Sequence, residues 1–483
     1  MRRTKIIATI GPACCNPAVI TRMVRSGMDV ARLNFSHGTY RDHARAIRQI
    51  RDASARTGRP VGLLLDLQGP RLRLGEFDGG TAVIRNGADV IVTNREVLGT
   101  DRVIPIVYSG LMKDVTTGDR VLIADGLVEL RVTGKRRDGL RCRVVTGGEL
   151  ADHKGVNFPG VKLSAASMTS KDRADVAFGI SMGVDFVALS FVRQASDIVV
   201  LKRLLRRAQR PPAVIAKIER REAIENLDEI LEIADGVMVA RGDLGVEYPA
   251  ERVPILQKRI IDRANKRDRV VITATQMLES MVHAPRPTRA EASDVANAIF
   301  DGTDAVMLSA ETAVGDYPSR AIQTMARIAA EADEFAAGVR APRRASDGSA
   351  HAMASPTHAL AHTATQASRE IRARALVIFT HTGFSARLVS KSRPTAPVFA
   401  LTPLDSTCRR LTLAWGVSPV RVPKWRTAEG MVEAGMRLLT SKKLLRRGDW
   451  AVAMAGTTTR SGGTNLMRIV HIGARSNHRP PSR

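Results

Sequence analysis

The sequence predicts an α/β chain built on a (β/α)8 barrel of the TIM type, with a small β-barrel lid domain inserted and an open-sheet α/β domain following. Three observations carry this. Eight short strands rich in Val, Ile and Leu alternate with helical segments. About a hundred residues of Gly-punctuated β pattern interrupt the series after its third strand. A second α/β alternation begins beyond a polar stretch near residue 340. The expected division is 1–73 with 161–338 for the barrel, 74–160 for the lid and 339–483 for the C-terminal domain. A chain of 483 residues is too long for a single core, which fits such a division.

The eight barrel strands are read as "KIIATIG" (5–11), "DVARLNFS" (29–36), "VGLLLDLQG" (61–69), "DFVALSF" (185–191), "AVIAKIE" (213–219), "GVMVARGDLG" (236–245), "VVITATQ" (270–276) and "AVMLSAE" (305–311). Their near-continuous apolar runs suit parallel strands covered on both faces. Helices are expected over 40–56, 196–207, 221–233, 253–266 and 288–300. The last opens on Thr288-x-x-Glu291, a capping box preceded by Pro287. Between the third and fourth strands, "TAVIRNG", "DRVLIADGLVEL" and "LRCRVVTGG" read as strands of the inserted unit. An insertion at this end of a barrel stands over its mouth, where a lid is useful. "APRRASDGSAHAMASP" (341–356) reads as a linker. Further strands follow at 375–380, 397–402, 417–422, 450–456 and 468–473, and the Arg- and Pro-rich end from 474 reads as frayed.

Nearly every barrel strand ends in polar residues that packing does not explain. Strand two closes with Arg32, Asn34 and Ser36, and strand three with Asp66, Arg73 following soon after. Strand five gives Lys217 and Glu219, strand six Arg241 and Asp243, strand seven Thr273 and Thr275, strand eight Ser309 and Glu311. Side chains alternate along a strand, so Lys217 and Glu219 point the same way. In a barrel these ends converge on one mouth, where active sites of this architecture are built. A single charged strand end is most often a structural pair, but six at one end are a site.

Residue type narrows the chemistry. Glu219 and Asp243 offer hard carboxylate oxygens suited to Mg²⁺ or Mn²⁺. Arg32, Arg73 and Lys217 form a cationic set suited to a phosphoryl group and the charge that moves in its transfer. "VARGDLGVE" carries Gly242 and Gly245, whose backbone can approach an anion closely. The chain has no Ser–His–Asp order, Cys–His pair, P-loop lysine or G-x-G-x-x-G.

At these residues the sequence resembles the pyruvate kinase family. The motifs are "TKIIATIGPA", "ARLNFSHGTY", "DLQGPRLR", "AKIE", "VMVARGDLGVE" and the run from "ITATQMLESM" to "AETAVGDYP", with "GVNFPGVKLS" and "FTHTGFSARLVSKSRP" outside the barrel proper. The resemblance covers nearly the whole chain. It implies transfer of the phosphoryl group of phosphoenolpyruvate to ADP, giving pyruvate and ATP, the last step of glycolysis. It further implies that Lys217 stabilises the transferring group and the enolate oxygen, and that Glu219 and Asp243 hold the divalent metal. Arg32 and Arg73 would bind phosphate, Gly242 and Asp243 would meet the substrate carboxylate, and Thr275 and Ser309 would lie on the protonation side. Many members hold K⁺ at positions matching Asn34, Ser36, Asp66 and the Leu67 carbonyl. Those that need it usually carry an acidic residue where Arg71 stands, and those that dispense with it typically carry Lys there. Arg71 therefore implies that K⁺ is not required, a fixed cation standing in for a bound one.

The family also implies a homotetramer and a sugar-phosphate or nucleotide effector on the C-terminal domain, where "THTGFS" (380–385) and "GTTTRSGGTN" (456–465) supply donors. The competing readings are a different phosphoenolpyruvate- or pyruvate-handling barrel, and a catalytically inactive paralogue acting as a regulatory or anion-binding partner. Composition bears on the second. The formal charge is +26, which invites a nucleic-acid partner. The positive residues are scattered, however, and aromatics make up only 4%, too few for a stacking surface, so no nucleic acid is expected. No apolar run approaches the roughly 20 residues of a membrane helix, the N-terminal segment reads as a strand rather than a leader, and the four cysteines form no C-x-x-C pair. The expected location is the cytoplasm, with no membrane partner.

Overall fold

The structure, a computed structural model, describes residues 2–164, 166–339, 355–424, 428–456 and 463–473. Most of the expected linker, the 457–462 part of the second glycine-rich loop and the tail from 474 lie outside them.

Eight parallel strands close into a barrel: β1 Lys5–Thr9, β2 Val30–Asn34, β3 Gly62–Asp66, β4 Phe186–Leu189, β5 Ala213–Ile218, β6 Gly236–Ala240, β7 Val270–Ala274 and β8 Ala305–Leu308. Neighbours follow sequence order, and Lys5 registers with Ala305 to close the ring. Alternate residues fill the interior. Ile7, Val30, Leu64, Phe186, Ala188, Ile215, Met238, Ile272 and Met307 form one core inside the barrel, and Leu413 of the C-terminal domain plugs its foot. The opposite face of each strand packs against the helices in a second, larger core.

The foot of the barrel repeats one device at every even strand. An aspartate immediately before the strand accepts a backbone N–H from the strand before it: Asp29 from Ile6, Asp185 from Leu63, Asp235 from Val214 and Asp304 from Val271, at 2.8 to 3.0 Å. Each carboxylate thus satisfies a strand-entry donor that would otherwise be buried unpaired. At each the remaining charge meets a cation, in turn Arg2, Arg409, Lys202, and Lys391 with Arg393. The cations at Asp185 and Asp304 come from the C-terminal domain, which is how that domain grips the barrel.

The inserted unit is mostly β, with one short helix, Leu111–Asp114, around its own core from Leu72 to Val161. The small barrel expected there takes the form of two sheets. One has six strands, running from Asp89–Thr93 to Val156–Asn157, and the other pairs Thr81–Ile84 with Gly148–Ala151. The C-terminal sheet is open, as expected: β9 Ala375–Phe379, β10 Val398–Thr402, β11 Val417–Arg421 and β12 Trp450–Gly456 are parallel. β13 Thr464–His471 adds an antiparallel edge to β12.

Helices match the sequence reading at 40–57 and Val253–Lys266, and Thr288 and Glu291 form the expected capping box. The expected 221–233 helix is instead two, broken at Asn226, whose side-chain amide donates to the Arg193 carbonyl. Strand six also stops early. "RGDLGVE" is a short helix, Arg241–Glu247, and not a strand end running into a turn. Asp243 in its first turn complements the helix dipole.

No helix among the described residues is long and apolar enough to cross a membrane. All four cysteines are free.

Candidate active site

The mouth is the topmost layer of the barrel interior. Arg32, Asp66, Lys217 and Ser309 each lie two residues beyond an interior apolar side chain (Val30, Leu64, Ile215 and Met307), so alternation carries them to the same opening. Lys217 Nζ lies 2.8 Å from Glu219 Oε1 and 3.5 Å from Asp66 Oδ1. Arg32 Nε meets Asp66 Oδ2 at 2.7 Å, and its other arm donates to Thr9 Oγ1. The expectation that Lys217 and Glu219 share a face holds.

Electrostatics follow from this crowding. Burial alone would lower Lys217, yet Asp66, Glu219 and Asp243 outweigh it and hold the ammonium above the usual lysine value. Burial would raise Asp66, but Lys217 and Arg32 keep its carboxyl below the usual range. Glu219 goes the other way: burial pushes it up, Lys217 opposes, and Asp243 adds to the rise. The cluster is therefore rich in carboxylate, with Lys217 charged at any physiological pH.

Glu219 is 1% exposed; its Oε2 accepts the Phe191 N–H at 2.6 Å, and its Oε1 takes no well-directed hydrogen bond. A buried carboxylate, with Asp243 close enough to raise its affinity for the proton, is a hard-oxygen donor set that a divalent cation fits. Among the described residues no three His, Cys, Asp or Glu side chains gather as a metal cage. A cation here would therefore complete its shell from substrate and water.

On the other side of the mouth, Thr275 Oγ1 accepts the Gly242 N–H at 2.9 Å. Thr275 and Gln276 both have positive φ, 69° and 51°, a strained pair for residues with side chains. The Arg241 guanidinium secures them. It donates to the Thr275 carbonyl at 2.7 Å and to that of Gln276 at 3.2 Å, and is anchored by Asp294 at 2.6 Å. Arg241 is thus a brace and not a strand-end cation. Ser309, at the end of β8, donates its N–H to Glu311 at 2.6 Å.

Some expected members lie elsewhere. Thr273 is buried and bonds Thr303, and Glu311 is buried, tying the Leu278 and Ser309 N–H groups together. Both are structural. Gly242 keeps no free N–H for a substrate while Thr275 holds it. Arg73 donates to the His153 carbonyl, in the strap leading back from the inserted domain, at 2.9 Å. Arg71 does not stand at Asp66: its guanidinium pairs with Asp125 of the lid at 3.2 Å. Of the positions matched to K⁺, Asn34 Oδ1 accepts the Ser36 N–H, the Leu67 carbonyl accepts Ser190 Oγ, and Asp66 meets Arg32 and Lys217.

Sequence reasoning missed Ser190. Its Oγ accepts from Lys217 Nζ at 2.9 Å while donating to the Leu67 carbonyl at 2.6 Å. Its signal was present, since it follows interior Phe186 and Ala188 at the same alternation as its neighbours.

A charged lysine, the guanidinium of Arg32 and the buried carboxylates Asp66 and Glu219, set in the mouth of a (β/α)8 barrel, define an enzyme that handles a phosphoryl group. The sequence matches the family described as "Pyruvate kinase, barrel domain" over residues 1–322 and "Pyruvate kinase, alpha/beta domain" over 358–470. It is 43% identical over 476 residues to the pyruvate kinase of Bacillus licheniformis, covering 98% of this chain and 81% of that one. It is 46% identical over 474 residues to pyruvate kinase 2 of a Synechocystis strain, covering 97% and 79%. The crystal structure of a pyruvate kinase from Cryptosporidium parvum superposes with a TM-score of 0.91 at 36% identity, covering 97% of this chain and 96% of that one. The chain belongs to the pyruvate kinase family. It is an enzyme that moves the phosphoryl group of phosphoenolpyruvate to ADP, and nothing favours an inactive paralogue.

Proposed function

We propose that Lys217, Arg32, Glu219, Asp243, Thr275 and Ser309 perform this transfer, with Mg²⁺ or Mn²⁺ held by Glu219 and Asp243. The supporting observation is the buried Glu219 carboxylate, with Lys217 Nζ 2.8 Å from its Oε1 and Asp243 near enough to raise it. When bound, the cation supplies charge neutralisation for the anionic substrate. Lys217, kept protonated by three carboxylates, faces the phosphoryl group as its bond to the enol oxygen breaks and a bond to the ADP β-phosphate oxygen forms. The same ammonium then balances the enolate oxygen left behind. Thr275 and Ser309 border the face where the methylene carbon takes its proton, relayed through water. Arg32, fixed by Asp66, supplies a directed guanidinium for the phosphate, and Arg73 joins it when the lid strap moves.

Replacing Glu219 with Gln tests the metal assignment. Activity at fixed Mg²⁺ should fall a hundredfold or more, a loss of several kcal/mol, and the Mg²⁺ concentration for half-activity should rise. An unchanged Mg²⁺ requirement would remove Glu219 from the metal site.

Independence from K⁺ belongs to the same proposal. Its support is Asp66, already met by Arg32 and Lys217 without a bound monovalent ion; Arg71, turned to Asp125, is not part of that balance. Family membership further supports a homotetramer in the cytoplasm, with a sugar-phosphate or nucleotide effector at the 380–385 loop. There Gly383 caps the helix Phe384–Lys391, and Ser385 meets Thr464.

A further inference from the structure

Two stretches of chain connect the lid to the barrel. They run side by side at Leu72, whose carbonyl accepts the Val156 N–H at 3.0 Å, and at Arg73, which forms an antiparallel β-bridge with Gly155. The outgoing stretch turns at Gly69, where φ is 71°, and the Gly69 N–H donates to Asp172 Oδ1 of the barrel at 3.0 Å. The returning stretch turns at Gly160, where φ is 78°, and the Gly160 N–H donates to Glu247 Oε2 at 3.3 Å. A left-handed glycine on each connection marks where the chain bends between the two domains.

One buried ion pair secures the returning turn. Arg220 Nη1 lies 2.6 Å from Glu247 Oε1, the two side chains being 7% and 3% exposed. Arg220 Nη2 also donates to the Val161 carbonyl at 3.1 Å. The pair thus takes the N–H and the carbonyl of consecutive residues, Gly160 and Val161. Both partners come from elements of the mouth. Arg220 adjoins Glu219 just beyond β5, and Glu247 closes the short helix that carries Asp243. Further along, Arg193 Nη1 holds the Leu163 carbonyl at 2.6 Å, while Ser164 turns to the lid and donates its N–H to Asp114 at 2.7 Å. Polar contacts from the barrel therefore span 160–163, and one from the lid takes over at 164. Glu222, buried beside the pair, stands 3.6 Å from Arg220 Nε, and neither of its oxygens accepts a hydrogen bond. A buried guanidinium with one close and one slack carboxylate keeps its charge balanced when the strap it holds shifts.

We propose that Arg220 and Glu247 are positioning residues for the transfer, pinning the lid's returning connection at Gly160–Val161 to the two elements that carry Glu219 and Asp243. The pair touches no substrate. It sets where the lid stands over the mouth relative to those carboxylates, so that placing the lid and assembling the site are one movement. The inference rests on the assignment of Glu219 and Asp243 to the reaction, and its first readout is independent of activity.

The test joins hydrogen exchange to steady-state kinetics on the full-length protein. In Arg220→Met the amides of Gly160 to Leu163 should exchange about tenfold faster or more, with the amides of β5 unchanged. At saturating Mg²⁺ and substrates, kcat per folded molecule should fall about fivefold or more. The KM for phosphoenolpyruvate, held by barrel side chains, should stay within about twofold. Arg220→Lys keeps a charge for Glu247 without the fork that also reaches the Val161 carbonyl, and should recover part of kcat. A pair that only stabilises the fold would lower the unfolding midpoint and leave kcat alone. Glu247→Gln, nearly the same shape, should move both readouts in the same direction, and it carries the test if Arg220→Met does not fold. The proposal is overturned if exchange at 160–163 is unaltered in the folded variants, or if it quickens with kcat unchanged. Failure of the metal assignment reads differently: Glu219→Gln would leave the Mg²⁺ requirement unchanged, while the exchange effect of Arg220→Met would persist.

Discussion

Two buried lysines sit at opposite ends of the barrel, and they have been given opposite characters. Lys217 at the mouth is surrounded by Asp66, Glu219 and Asp243, which hold its proton more tightly than in water. Lys391 at the foot is the more deeply buried, but Asp304 is its one close carboxylate, and Arg393 shares it. Burial therefore wins, lowering that ammonium to about 8. The difference separates a working site from a joint. The mouth carries surplus negative charge that calls for further cations, and Lys217 stays charged to meet an anionic substrate. At the foot, Asp304 is committed to Lys391, Arg393 and the Val271 N–H, and nothing remains for a ligand.

The largest expected effect is on the joint. Lys391→Met leaves Asp304 short of a partner in the interior, a loss of about 3–5 kcal/mol, readable as a lowered denaturant midpoint. Turnover per folded molecule should change little. The pH dependence has a definite sign. Burial would raise Asp304, but Lys391 and Arg393 outweigh it and hold it below its unfolded value. Its contribution is complete above about pH 4 and is lost as pH falls through its lower folded value. Acid titration of stability in Asp304→Asn should lack that component, and an unaltered acid profile would refute the pairing.

A smaller effect is expected at Ser190, which positions Lys217 without reaching substrate. Ser190→Ala removes one hydrogen bond to a charged group, about 1.5 kcal/mol or tenfold in kcat. The KM for ADP should stay put, and Ser190→Thr should restore part of the rate. A purely structural serine would show itself by lowering stability with no change in kcat. The smallest effect expected is that of K⁺. Exchanging it for a non-activating cation should change turnover less than tenfold, and a larger drop would mean that Arg32 and Lys217 do not replace it at Asp66.

The same contrast explains what was legible in the sequence. The apolar strands and their polar ends were plain, because period-two alternation is local and the barrel brings strand ends together by topology. Lys217, Glu219, Asp66 and Arg32 were readable for that reason. Arg71, Arg73 and Arg241 were read by charge, yet their long side chains reach a lid carboxylate, a strap carbonyl and a strained turn, distant in sequence. Thr273 faces Thr303 and not the mouth, which only the three-dimensional register decides. Ser190 was passed over because a serine after an apolar run looks like an ordinary strand end. The even-strand aspartates at the foot carried no signal of their partners, which lie in other elements.

The most direct test of the account is pyruvate formation from phosphoenolpyruvate and ADP with Mg²⁺, measured for wild type and Lys217→Met alongside their unfolding midpoints. Loss of about 10²–10³-fold in kcat with a well-folded variant is the predicted result. A folded Lys217→Met enzyme retaining activity within tenfold of wild type would contradict the claim that the charge surplus at the mouth exists to serve this lysine.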